Sequence, residues 1–178
     1  RPRLKGRGFL IRYADDAVIL CRGDSQPAMA VLETVLDRLE LTLNRDKTRV
    51  VDAREQAFNF LGFSIQWARS RRTGKGYPNV EPSKRAEQRI KARIKDLTAR
   101  RRTPVPMPHM IEEVNQVLRG WSGYFHYGNC TKVFGRVRWF TEARLRTQLR
   151  RRHKVRTRTR GYERFSYAHL HDVLGLFN

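Results

Sequence analysis

Asp15 and Asp16 stand side by side between two short apolar runs, residues 8–13 (Gly-Phe-Leu-Ile-Arg-Tyr) and 17–21 (Ala-Val-Ile-Leu-Cys). Adjacent carboxylates suit a hard cation. Mg²⁺ takes oxygen ligands and often binds through one or two carboxylates plus the phosphates of a substrate. Metal ions held that way activate a hydroxyl and stabilise a leaving oxygen in phosphoryl transfer. An isolated Asp-Asp pair is more often an ordinary polar turn, because Asp is a common turn residue. The apolar runs on both sides change that balance, since they predict a β-hairpin that holds the acids at its tip. His169 and His171 are the other ligand-like pair. With no Cys or acid at ligand spacing, they read as surface or core histidines.

The second chemical signal is charge. The 178 residues carry 38 Lys and Arg against 17 Asp and Glu, a net of +21, and thirty of the basic residues are Arg. Arg presents a planar fork that matches phosphate oxygens, and it stacks on bases. Without a polyanionic partner such a chain would gain only self-repulsion, so the composition points to nucleic acid. The charge is also segregated. Residues 1–66 hold 11 basic and 9 acidic side chains, a net of +2, whereas residues 67–178 hold 27 and 8, a net of +19. That is the pattern of a chemistry-bearing part joined to a binding part.

Composition excludes several classes. With 39% hydrophobic residues the chain can bury a core and is not a disordered basic tail. No stretch approaches the roughly 20 apolar residues of a membrane span. The start, Arg1-Pro2-Arg3-Leu4-Lys5, lacks the apolar segment of a secretory signal and an initiator Met, so the chain reads as a piece of something longer. Cys21 and Cys130 are far apart and lack metal-ligand spacing, which favours a reducing, cytoplasmic setting.

The elements that must position these residues follow from periodicity. A helix is predicted over 27–41, opened by Pro27, with Val31, Leu32, Val35, Leu36 and Leu39 at helical spacing. After the polar break Asn44-Arg45-Asp46, residues 48–52 read as a strand. Residues 58–67 read as a second hairpin bent at Gly62. Residues 68–82 are rich in Arg, Gly, Pro and Ser and read as a linker. A helix over 83–102 places Ala86, Ile90, Ile94 and Leu97 on one stripe, with Arg85, Arg89, Arg93 and Arg100 along its edge. Consecutive guanidiniums of that row would rise by about 6 Å per i+4 step, close to the phosphate spacing of a strand. Pro104, Pro106 and Pro108 predict an extended connector. A second helix over 109–119 is expected to break at Gly120-Trp121-Ser122-Gly123. A third, over 132–152, ends in Arg150-Arg151-Arg152. The expected fold class is therefore α+β, a β-rich first part followed by a basic three-helix unit.

Several blocks together carry a family resemblance. Tyr13-Ala14-Asp15-Asp16 resembles the YADD box of reverse transcriptases. Leu43-Asn44-Arg45-Asp46-Lys47-Thr48 is similar to the LNxxKT block, and Phe60-Leu61-Gly62-Phe63 to the FLGF block. Leu118-Arg119-Gly120-Trp121 with Tyr124 resembles the LRGWxxYY signature of the maturase domain, and Leu174-Gly175-Leu176 resembles that domain's end. Four boxes in order and at plausible spacing identify the chain as similar to the C-terminal part of bacterial group II intron reverse transcriptase/maturases. The resemblance implies the end of a palm over 1–67, a linker over 68–82, and a helical thumb, or maturase (X) domain, over 83–178.

It also implies roles. Asp15 and Asp16 would be ligands to catalytic Mg²⁺, Tyr13 would lie under the primer terminus, and Lys47 near the deoxynucleotide triphosphate or its departing pyrophosphate. Phe60, Leu61, Gly62 and Phe63 would form the primer grip. The basic residues of the second part, Arg119, Arg150, Arg151 and Arg152 with the Arg85 row, would contact intron RNA, template RNA and the DNA primer. Phe60, Phe63, Trp121 and Tyr124 have a plainer reading as packed aromatics. In this family a further Asp, N-terminal to the YADD hairpin, completes the metal site, and residues 1–12 contain no acid. The expectation is that this polypeptide does not polymerise by itself and that any N-terminal fingers and palm segment is supplied elsewhere. Two functions follow: the palm–thumb portion of an RNA-directed DNA polymerase that also assists splicing, or an RNA-binding splicing factor without polymerase activity.

Overall fold

The computed structural model describes residues 8–178, so the first seven residues of the expected palm portion lie outside it. The architecture is α+β, as expected. Strands β1 (Phe9–Tyr13) and β2 (Asp16–Leu20) form an antiparallel hairpin, in register from Phe9 opposite Leu20 to Tyr13 opposite Asp16. Helix α1 (Gln26–Arg38) follows, with Pro27 in its first turn. It stops three residues short of the expected end. Glu40 adopts φ 55°, Leu41 N–H donates to Leu36 O at 3.0 Å, and Glu40 N–H donates to Asp37 O at 3.1 Å. This pair of bonds is a Schellman closure, here made by a Glu in the left-handed position. Leu39 is left exposed beyond the helix.

The strand expected over 48–52 does not form. Asn44 and Asp52 instead turn the chain, their side-chain oxygens accepting from the N–H groups of Lys47 (3.1 Å) and Arg54 (2.8 Å). Such local bonds compete with pairing into a sheet. Strands β3 (Phe58–Phe60), β4 (Phe63–Arg69) and β5 (Gly76–Pro82) then make a three-stranded antiparallel sheet in sequential order.

The third strand corrects the linker reading of 68–82. Residues 68–69 end β4, 70–75 turn, and β5 pairs with β4 over its whole length, Phe63 opposite Pro82 through Arg69 opposite Gly76. A loop far along the chain, residues 126–130, locks β5. Asn129 N–H donates to Val80 O at 2.6 Å, and a Cβ on Gly128 (φ 79°) would meet that same oxygen at 2.3 Å. Glycine and proline in this stretch mark a strand in close contact with other backbone, where composition alone suggested mobility.

The helical body comprises α2 (Lys84–Leu97), α3 (Met107–Phe125) and α4 (Thr131–Arg152), with a short α5 (Arg158–Arg164) and a π-helical turn (His169–Val173) added behind them. The last two elements were not expected. Ser83 caps α2 by accepting from Ala86 N–H at 3.2 Å. The helix ends at Leu97, and Arg100–Arg102 form a separate 3₁₀ turn. Helix α3 runs straight through Gly120 and Gly123. Trp121 and Phe125 pack against each other with ring centroids 5.0 Å apart, and Trp121 also meets Phe134 at 5.2 Å. Packing two large aromatics, Phe125 buried and Trp121 partly so, outweighs the roughly 1 kcal/mol that a helical glycine costs.

The core lies almost wholly in this body. Ile90, Ile94 and Leu97 of α2 meet Met110, Ile111, Val114 and Leu118 of α3 and Val137, Leu145 and Leu149 of α4, closed from the C-terminal side by Phe165, Leu170 and Leu176. Asn115 holds the tail in place, donating to Gly175 O and accepting from Phe177 N–H, both at 2.8 Å. Before the three-stranded sheet, Ala28 is the one buried hydrophobic residue among the described residues.

Candidate nucleic-acid interface

The hairpin places the acids as expected. Asp15 lies in the turn and Asp16 opens β2, both exposed, with Tyr13 paired opposite Asp16. Ala14 takes φ 49°, and Arg12 Nε donates to its carbonyl at 2.9 Å, which braces the tip. Among the described residues no third His, Cys, Asp or Glu joins the pair. Two exposed carboxylates from one hairpin do not by themselves fit a two-metal centre, which needs ligands converging from more than one element. Lys47 is exposed in the Asn44 turn, and no hydrogen bond or ion pair among the described residues connects it to the acids.

The Phe60–Phe63 block forms a joint between sheet and helices. Leu61 (φ 49°) and Gly62 (φ 81°) are the two turn residues between β3 and β4, the φ signs a tight hairpin requires. Both carbonyls are used. Leu61 O accepts from the Tyr124 hydroxyl at 3.0 Å, and Gly62 O accepts from Ser83 N–H at 2.8 Å. Phe63 stacks on Tyr124 (5.8 Å) and meets Phe125 edge-on (4.9 Å). Phe60 is half-buried. The aromatics of this block therefore serve packing, and the turn they support is fixed against the end of α3.

The arginines divide into two sets. Arg85, Arg89 and Arg93 are exposed along α2, and none forms a side-chain hydrogen bond or ion pair among the described residues. Arg100 is exposed too, but on the 3₁₀ turn and so outside the helical row. Arg119 is exposed, its guanidinium 5.6 Å from the Phe177 ring. Of the terminal run of α4, Arg151 alone is exposed. Arg150 donates to Arg156 O at 2.9 Å, and Arg152 to Val105 O. Burial lowers the pKa of Arg152 below its usual value. These two guanidiniums bond to backbone carbonyls of the fold, whereas that of Arg151 forms no hydrogen bond among the described residues.

Structural arginines that the sequence reading passed over lie on the inner face of α4. Arg144 donates to Thr98 O (2.8 Å) and Thr98 Oγ1 (3.0 Å), while Gln148 donates to Thr98 O and Ala99 O, both at 2.8 Å. They cap the C-terminal carbonyls of α2 from a distance of 46 to 50 residues in sequence. Arg146 is buried between Glu142 (3.1 Å) and Phe165 O (2.8 Å), its guanidinium 4.6 Å from the Tyr162 ring. His171 accompanies it, contacting Leu176 O and Glu142, and so belongs to the core. A 3.6-residue period marks such positions as inward, but it does not say that an Arg will be tolerated there.

Residues 87–166 match the model of the group II intron, maturase-specific domain. This segment is similar to the group II intron maturase-specific domain. It takes in α2 from Glu87, all of α3 and α4, and α5, so the match falls on the helical body with its core and its exposed arginines. No curated protein matches the chain. Within the matched segment Glu87 pairs with Arg136 and Lys91, Glu113 with Arg102, and Glu142 with Arg146, while Arg89 and Arg93 have no acidic partner among the described residues. No helix is long and apolar enough to cross a membrane among the described residues.

Proposed function

We propose that this chain binds group II intron RNA during splicing, with the maturase domain gripping the RNA backbone through exposed arginines. The observation that carries the reading is that the maturase-specific match takes in Arg89 and Arg93, unpaired among the described residues, of a row that begins at Arg85 just before it. Such a row follows a phosphate backbone without reading bases, so specificity comes from RNA shape. Neutralising about six phosphates makes affinity fall by about three orders of magnitude between about 50 and 200 mM salt. Mobility-shift measurements with a structured intron RNA over that series test it. Replacing Arg85, Arg89 and Arg93 by Gln flattens the slope and weakens binding to every RNA tested. An unchanged slope removes the support for this row.

A second reading rests on the hairpin. With Tyr13 opposite Asp16, its tip supports a part in RNA-directed DNA synthesis in a complete enzyme. Asp15 and Asp16 would there hold Mg²⁺, with an RNA template, a DNA primer and deoxynucleotide triphosphates as substrates, Lys47 near the leaving phosphate, and the Phe60–Phe63 turn against the primer. The metal would supply charge neutralisation for nucleotidyl transfer. The chain's own part is to present two carboxylates at a braced tip.

A further inference from the structure

Behind the end of α4 the chain leaves an open trough. Its larger hollow, about 740 Å³, is lined by Lys154, Arg156, Arg160 and Arg164 together with His153 and Glu163. A second hollow of about 430 Å³, reaching to Arg151, shares Lys154, Val155 and Arg156 with the first, so the two adjoin across that ridge. Lys154, Arg156, Arg160 and Arg164 form no ion pair among the described residues, and Glu163 is the one acid on the wall of the larger hollow.

The walls are built structures. Lys154 takes φ 52° where α4 ends, and Val155 N–H closes the turn on Arg150 O at 2.9 Å. Arg150 is the strut between the walls. Its guanidinium holds Arg156 O, and its aliphatic stem lies against Gly161 so closely that a Cβ there would be 2.3 Å from Arg150 Cδ. Helix α5 is thereby docked on α4, with Arg160 and Arg164 facing the same hollow as Lys154 and Arg156.

We infer that this trough is a second phosphate-binding site, taking the internal phosphodiester backbone of an RNA strand, separate from the α2 row. The inference rests on the RNA-binding reading above. Four unneutralised cations against one carboxylate select an anion. Two adjoining open hollows suit an extended polyanion better than a single small ion.

The test uses the whole chain. One variant carries Lys154→Gln, Arg156→Gln and Arg160→Gln, none of whose side chains makes a hydrogen bond among the described residues. A second, Gly161→Ala, displaces the Arg150 side chain from its place between the walls without changing charge. Both are compared with the wild type and with the Gln variant of the α2 row in RNA mobility shifts across a salt series, with thermal melting as the folding control. The trough variant is expected to lose about two units of salt slope, about a hundredfold in affinity at about 0.1 M salt, at three cations and about 0.7 per phosphate on a single strand. Its loss should add to that of the α2 row, and Gly161→Ala should weaken binding with its melting transition still cooperative. Wild-type slope in the trough variant, with the α2 variant still impaired, overturns the site and leaves the functional reading intact. Failure of the wild type itself to bind RNA overturns both. Inorganic phosphate at millimolar concentration that shifts the Gly161 amide resonance in the wild type, with RNA binding insensitive to the trough variant, makes this a small-anion site and also overturns the inference. An RNA that binds only with its 5′-phosphate present does so as well.

Discussion

Arg136 of α4 grips Glu87 of α2 with both arms of its guanidinium, Nη2 to Oε2 at 2.7 Å and Nε to Oε1 at 3.0 Å. Lys91 takes the same carboxylate from within α2. Glu87 is buried, and Arg136 covers it from the exposed side. The pair fixes the N-terminal end of α2 on α4, while Arg144 and Gln148 fix the C-terminal end.

The Arg136 hydrogen bonds hold the Glu87 carboxyl down to about 2, from an ordinary value of 4.5. A carboxylate whose folded pKa is depressed stabilises the fold fully above its unfolded value, and that contribution is lost as pH falls through the folded value. Urea melts should therefore show stability falling between about pH 4.5 and 2. Glu87→Gln should cost about 2 kcal/mol at neutral pH, below the full cost of breaking a buried pair because Arg136 is half exposed, and should flatten this acid limb.

Gly128→Ala should be among the most damaging single substitutions. It places a methyl on a residue at φ 79° and 2.3 Å from Val80 O, which is backbone and cannot yield. About 2–4 kcal/mol is expected in denaturant titration, with amide exchange rising along β5. Gly120→Ala, which meets nothing within 4 Å, should be neutral or slightly stabilising.

Tyr124→Phe removes the hydroxyl that reaches Leu61 O and keeps the ring against Phe63. About 0.5–1 kcal/mol is expected, since the site is partly exposed and water can replace the bond. If the Phe60–Phe63 turn also serves as a primer grip, primer extension by a complete enzyme should fall more than stability does.

In a complete enzyme, Asp15→Ala should abolish primer extension and leave RNA binding within about twofold, because an exposed turn residue supports no packing. Loss of both together would make Asp15 structural. The 178-residue chain itself should show no primer extension with Mg²⁺, since no third ligand joins the pair among the described residues.

Much of this was legible from residue order. Alternating short apolar runs around Ala14-Asp15-Asp16 were enough for the first hairpin, because strand period and turn chemistry are local. The stripes of α2, α3 and α4 and the segregation of charge were likewise local properties, and the arginines left unpaired on α2 lie where the period put them. The tertiary structure decided everything that depended on a distant partner. Gly120 and Gly123 look like helix breakers until Trp121 and Phe125 pack together, and residues 76–82 look like a linker until Val80 accepts from Asn129. Arg150, Arg151 and Arg152 are equivalent as a run of charge, yet only Arg151 faces solvent, because successive residues on a helix point about 100° apart. An arginine's type says that it can meet a phosphate; whether it meets one, or caps a helix 46 residues away as Arg144 does, depends on which carbonyls the packed fold leaves without partners.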